Sequence, residues 1–114
     1  MDEELATLHA SILRGTREYL EEEEAVPYED EDVTSLSLIL QDHVSALASA
    51  TSEEDALAKL RNTVLRLNEL NEKCNGELIE TDQREDICAF LILAAVNRGF
   101  NAGRVDQTES WREW

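Results

Sequence analysis

Between Leu57 and Cys74 apolar side chains return at every third or fourth position, through Leu60, Val64 and Leu67 and past Asn71, with Leu70 alongside. Only an α-helix brings such positions onto one face, since a strand alternates its side chains between two. The stripe lasts about five turns at ~3.6 residues each. An apolar seam of that length has to be covered, by other helices of the same chain or by a second copy of it.

The same period recurs along the rest of the chain. Leu5, Leu8, Ile12, Thr16 and Tyr19/Leu20 mark a helix from Asp2 to about Glu23. Asp2, Glu3 and Glu4 favour its positive end, whereas Glu21 to Glu24 crowd the negative end and should fray the last turn. Val26-Pro27 stops it, because the residue before a proline is pushed out of the α region. Leu36, Ile39, Leu40, His43, Val44 and Leu47 define a second helix, capped by Asp32 or Thr34 and ended by Ala48-Ser49-Ala50. Thr51-Ser52-Glu53-Glu54 has the form of a capping box that starts the third helix, and Asn75-Gly76 tolerates the left-handed C-cap that ends it.

Glu77 to Glu80 is too short for an element of its own and reads as a connector that buries Leu78 or Ile79. Thr81 then caps a fourth helix, from about Asp82 to Arg98. Its apolar surround from Ile87 to Val96 predicts that it is the central one, with Gly99-Phe100 as a Schellman ending. Asn101 to Trp114 shows no period, yet two tryptophans are too much apolar area to leave in water, so Trp111 is expected to dock, in a short helix from Thr108. The expectation is a single all-α domain over 1–114. It is an up-down bundle of about four helices, with an acidic loop at about 24–33, a packed C-terminal tail at about 100–114, and Leu60, Val64, Leu67, Phe90, Leu91 and Ala94 in the core.

Charge narrows the partners. The 114 residues hold 10 Lys+Arg against 26 Asp+Glu, a formal net charge of -16, while the 42% of hydrophobic residues is enough to build a core. A polyanion is repelled by nucleic acid and by anionic membranes, which leaves a basic protein as the expected partner. Nine acidic side chains and no basic one fall in residues 18 to 32. Tyr28 among these carboxylates reads as an anchor ringed by steering charge, so Glu23, Glu24, Tyr28, Glu29, Asp30, Glu31 and Asp32 form the candidate partner surface. A secondary surface combines Glu80, Asp82, Arg84, Glu85 and Asp86 with Trp111 and Trp114. The helix dipole alone would favour acids there, and Arg84 is expected to pair with Glu80, Glu85 or Glu113. Asn68, Asn71 and Asn75 are mediocre helix formers inside a helix, and one of them is expected to face another helix and fix register.

Catalytic patterns are missing. The chain has no His-Glu-x-x-His, no Glu-x-x-His, no P-loop and no Gly-x-Gly-x-x-Gly, and the acidic loop lacks the alternating ligands and glycine of an EF-hand. No catalytic residue, metal or cofactor is expected, and the reading is not an enzyme. His9, His43, Cys74 and Cys88 are the right ligand types for zinc but show none of the close spacing of structural zinc sites. The histidines read instead as hydrogen-bonded boundary residues and the cysteines as reduced, buried hydrophobes. The acidic Met1-Asp2-Glu3-Glu4 start and the shortness of every apolar run lead to a cytoplasmic expectation.

The stretch Leu67-Asn68-Glu69-Leu70-Asn71-Glu72-Lys73-Cys74-Asn75-Gly76-Glu77-Leu78-Ile79-Glu80-Thr81, with Arg84-Glu85, the apolar helix, Gly99-Phe100 and the closing Trp-Arg-Glu-Trp, resembles families of small acidic helical bacterial proteins with no assigned activity. The resemblance covers the C-terminal half and implies a bacterial, helical, single-domain protein. In size and charge, though in no motif, the chain is also similar to immunity proteins that neutralise nuclease toxins. The leading expectation is accordingly an inhibitor or immunity-type protein masking a basic partner such as a toxin domain. A housekeeping or regulatory interaction module, homo-oligomeric through the third helix stripe, is the second, and a ligand-binding or enzymatic bundle the third.

Overall fold

The computed structural model describes all residues, Met1–Trp114, as four α-helices and no strands: α1 Glu3–Glu22, α2 Asp30–Leu47, α3 Glu53–Lys73 and α4 Thr81–Val96. They form the expected up-down bundle, 45 × 28 × 21 Å. One core of buried side chains fills it, with Ile12, Val33, Leu36, Leu40, Val64, Leu67, Leu78, Ile87 and Phe90 at its centre. Leu60, Leu91 and Ala94 belong to it as the periodicity requires, whereas Leu57 at the start of the α3 stripe is exposed.

Each helix end has a local cause, and several differ from expectation. Asp2 caps α1 by accepting the Leu5 amide at 2.8 Å. No basic residue occupies the last turn of α1, which stops at Glu22 among its glutamates. Helix α2 begins at Asp30, earlier than the Asp32 or Thr34 cap expected: Glu29 is the N-cap, and the Asp32 carboxylate reaches back to accept the Glu29 amide at 2.9 Å. In α3 the cap is Ser52, one residue later than the Thr51 reading, with its hydroxyl accepting the Asp55 amide at 3.0 Å. Thr81 is the first residue of α4, and Glu80 holds the cap position. Both C-terminal signals act as read. The Gly76 amide donates to the Asn71 carbonyl and the Phe100 amide to the Ala95 carbonyl, with Asn75, Gly76 and Gly99 at positive φ.

The central helix is α2, which packs on α1, α3 and α4, and not α4 as its apolar run suggested. The α3 stripe packs against α2 inside the chain and is therefore no open seam for a second copy. Helices α3 and α4 barely meet directly; the tail bridges them. Asn68 on α3 donates to the Trp111 carbonyl at 2.8 Å and accepts the Glu113 amide at 2.9 Å, while Thr108 lies 3.9 Å from Cys88 Sγ on α4. A single turn at Thr108–Arg112 takes the place of the expected short helix. At the tail's start Asn101 ties itself to Val105 through both ends of its carboxamide, and its backbone amide donates to Glu53.

Asn68 and Asn71 are buried, but neither fixes helix register as expected. Asn71 Oδ1 accepts the amides of Leu78 and Ile79 at 3.1 and 2.9 Å, folding the connector so that both apolar side chains are buried. A carboxamide carries one acceptor and one donor end, so it can stand in for a missing stretch of backbone.

Candidate protein-binding surface

In an up-down bundle the ends of α1 and α3 and the starts of α2 and α4 share one pole. The two acidic clusters, 50 residues apart in places along the chain, therefore meet there. The nine acids of residues 18 to 32 are joined by six more between Glu72 and Asp86, against Lys73 and Arg84. The halves adjoin in two places. Lys73 donates to Asp32 at 2.8 Å with Glu31 at 4.0 Å, and a groove between α1 and α4 is walled by Glu18 and Tyr19 on one side and Asp82 and Asp86 on the other.

The expected site residues divide in two. Glu23, Glu24, Glu29, Asp30 and Glu31 are exposed, as are Glu18, Glu21 and Glu22 beside them. Tyr28 and Asp32 are corrected: both are buried. Tyr28 is only 5% exposed, its ring belongs to the core, and its hydroxyl donates to the Thr16 carbonyl at 3.0 Å, so it is an internal clasp and offers no exposed anchor. Asp32 is held between the Glu29 amide and Lys73, and the Lys73 ammonium keeps its carboxyl below the usual carboxylate range. Asp30 is 3.4 Å from Arg17 in an exposed pair that contributes little.

Around the second cluster Glu80, Asp82 and Glu85 are exposed, Asp86 is half-buried and accepts the Ser11 hydroxyl at 3.2 Å. Arg84 forms none of the expected ion pairs with Glu80, Glu85 or Glu113; it is half-buried, and the paired arginine of this region is Arg112, 3.5 Å from Asp106. Trp111 and Trp114 are half-buried against the core, with the Arg112 guanidinium 5.7 Å above the Trp114 ring. Sequence reasoning missed Gln83, the buried residue in the groove floor; the only cue is a polar residue at i−4 from Ile87 on the core stripe of α4.

The four potential zinc ligands are held in separate places. His9 bonds Ser37 at 2.9 Å beside the Phe90 ring, and His43 bonds Thr63 at 2.6 Å. Cys74 is buried at the α3 cap and Cys88 lies under the tail, both as free thiols that burial pushes up in pKa, Cys74 to about 11. Neither meets the low-pKa condition of a reactive cysteine. No three His, Cys, Asp or Glu side chains are arranged to hold a metal ion, and no helix is long and apolar enough to cross a membrane.

What this pole offers chemically is a dense, mostly unpaired field of carboxylates on a rigid frame, suited to steering and holding cationic groups. No protein-family model, curated protein or solved structure matches the chain.

Proposed function

We propose that this chain is a cytoplasmic protein-binding protein of the inhibitor or immunity type, whose acidic pole covers a basic surface of its partner, such as a toxin domain. One observation carries the reading: the fold gathers two acidic clusters, distant in sequence, onto one end of the bundle and leaves eight glutamates and aspartates of residues 18–31 exposed there. Scattered solubilising charge has no need of that convergence, and like charges crowded at a helix C-terminus cost stability. Masking asks only for fast, steered association and a rigid complementary face.

The test is capture from the native host at low salt, followed by titration of the purified captured protein. A basic protein whose association rate falls steeply with salt, and falls again when Glu21, Glu22, Glu23 and Glu24 become Gln, supports the reading. Capture of acidic or neutral proteins, or rates indifferent to those substitutions, overturns it.

A further inference from the structure

We infer that the groove between α1 and α4 is a subsite for an arginine guanidinium presented by the basic partner. The inference deepens the proposed function and rests on it. The groove is open to solvent along one side and has a volume of about 180 Å³, enough to admit a planar guanidinium with the end of its stem. Its floor is Gln83, only 3% exposed, whose Oε1 has no hydrogen-bond partner. An unpartnered buried carboxamide is a standing cost to the fold. Gly15 in mid-α1 leaves it room: a Cβ there would sit 3.1 Å from Gln83 Nε2, close enough to push the amide aside by a few tenths of an ångström.

A carboxamide keeps its shape on a half turn, so either end can face the groove, and a cation draws the carbonyl end toward itself. Above it stand the carboxylates of Glu18, Asp82 and Asp86, spread over two helices. They are too dispersed for a metal ion. A guanidinium suits that spread, because its five donors point in several fixed directions from one plane, whereas an ammonium is a compact point charge. Arg14 also lines the groove and forms no ion pair there. Its like charge opposes the ligand, which makes it a built-in brake on affinity. Glu18 also borders the neighbouring exposed face, where Glu21 stands beside Arg14 and Arg17, so a chain bound by Glu18 and Glu21 can drop one side chain into the groove.

The experiment uses two charge-matched peptides, acetyl-Gly-Lys-Arg-Lys-Gly-amide and acetyl-Gly-Lys-Lys-Lys-Gly-amide, titrated at low salt into the full-length ¹⁵N-labelled protein. The arginine peptide should bind about tenfold more tightly and should shift the Gln83 side-chain and Gly15 amide resonances, which the lysine peptide leaves in place. Gln83→Met should erase the difference while raising the thermal midpoint, since it removes an unpartnered polar group and keeps the volume. Asp86→Asn, which retains an acceptor for Ser11, should also lessen it, and Arg14→Gln should increase it. If both peptides bind equally, or if the preference survives Gln83→Met, the subsite is wrong and only diffuse electrostatic binding stands. Failure of both peptides to bind overturns the subsite and the proposed function together.

Discussion

Tyr28 reaches back from the loop after α1 to donate its hydroxyl to the Thr16 carbonyl, while Thr16 turns its own hydroxyl onto the Ile12 carbonyl at 2.8 Å. The loop is thus tied to the helix it has just left, two turns before that helix's end. Tyr28→Phe should cost about 0.5–1.5 kcal/mol for the lost hydrogen bond and Tyr28→Ala about 3–5 kcal/mol for the cavity, both read from urea melts. Burial, reinforced by Glu80, raises the phenol to about 12. The native state therefore holds the proton more tightly than the unfolded chain, and stability should fall as pH rises from about 10 toward 12. In Tyr28→Phe that slope should flatten.

This residue also shows where sequence reasoning stops. A tyrosine among carboxylates looks like an exposed anchor, because charge density is visible along the chain and loop direction is not. Helix α1 already ends at Glu22, and the loop through Pro27 brings the chain round so that the ring falls back over α1. The same division holds elsewhere. Helix number, the α3 stripe, the two C-terminal endings and most of the core follow from periods that repeat locally. The asparagines do not, since Asn68 and Asn71 serve backbone in the tail and connector, segments with no period of their own. The acidic pole was legible as two clusters, and only the up-down topology makes them one.

Asn68 holds the tail by both ends of its carboxamide. Asn68→Ala should leave the Trp111 carbonyl and Glu113 amide without their partner and cost about 1–3 kcal/mol. The only two tryptophans, Trp111 and Trp114, lie in this tail, so their fluorescence should shift to the red as the segment loosens, well before the helical circular dichroism is lost. Unchanged fluorescence would mean that apolar docking alone keeps the tail in place.

His43 is buried in the α2–α3 seam with its Nδ1 against Thr63, and burial lowers its pKa from 6.5 to about 4. The native state prefers the neutral ring, so the unfolded chain takes up the proton first. Stability is complete above about pH 6.5, falls as pH drops toward 4 and levels below it. At about 1.36 kcal/mol per unit the loss reaches up to about 3 kcal/mol. Urea midpoints at pH 7 and pH 4.5, compared between the native protein and His43→Gln, isolate this group from the carboxylates. Equal pH slopes in the two would show that His43 takes no part.

The acidic pole sets stability against binding. Glu21 and Glu22 lie in the last turn of α1 and Glu23 and Glu24 follow, where the dipole is negative and no basic residue offsets it. Each unfavourable charge at a helix end costs about 0.3–1 kcal/mol at low salt. Converting all four to Gln should therefore raise the melting temperature, most at low ionic strength and least at 1 M salt, where the Debye length is about 3 Å. The same variant should lose association rate toward the basic partner, since the steering field is what has been removed. A protein that gains stability and loses speed in one substitution set keeps these glutamates for encounter and not for folding. If melting temperature and rate both stay the same, neither the dipole argument nor the steering argument applies to this segment.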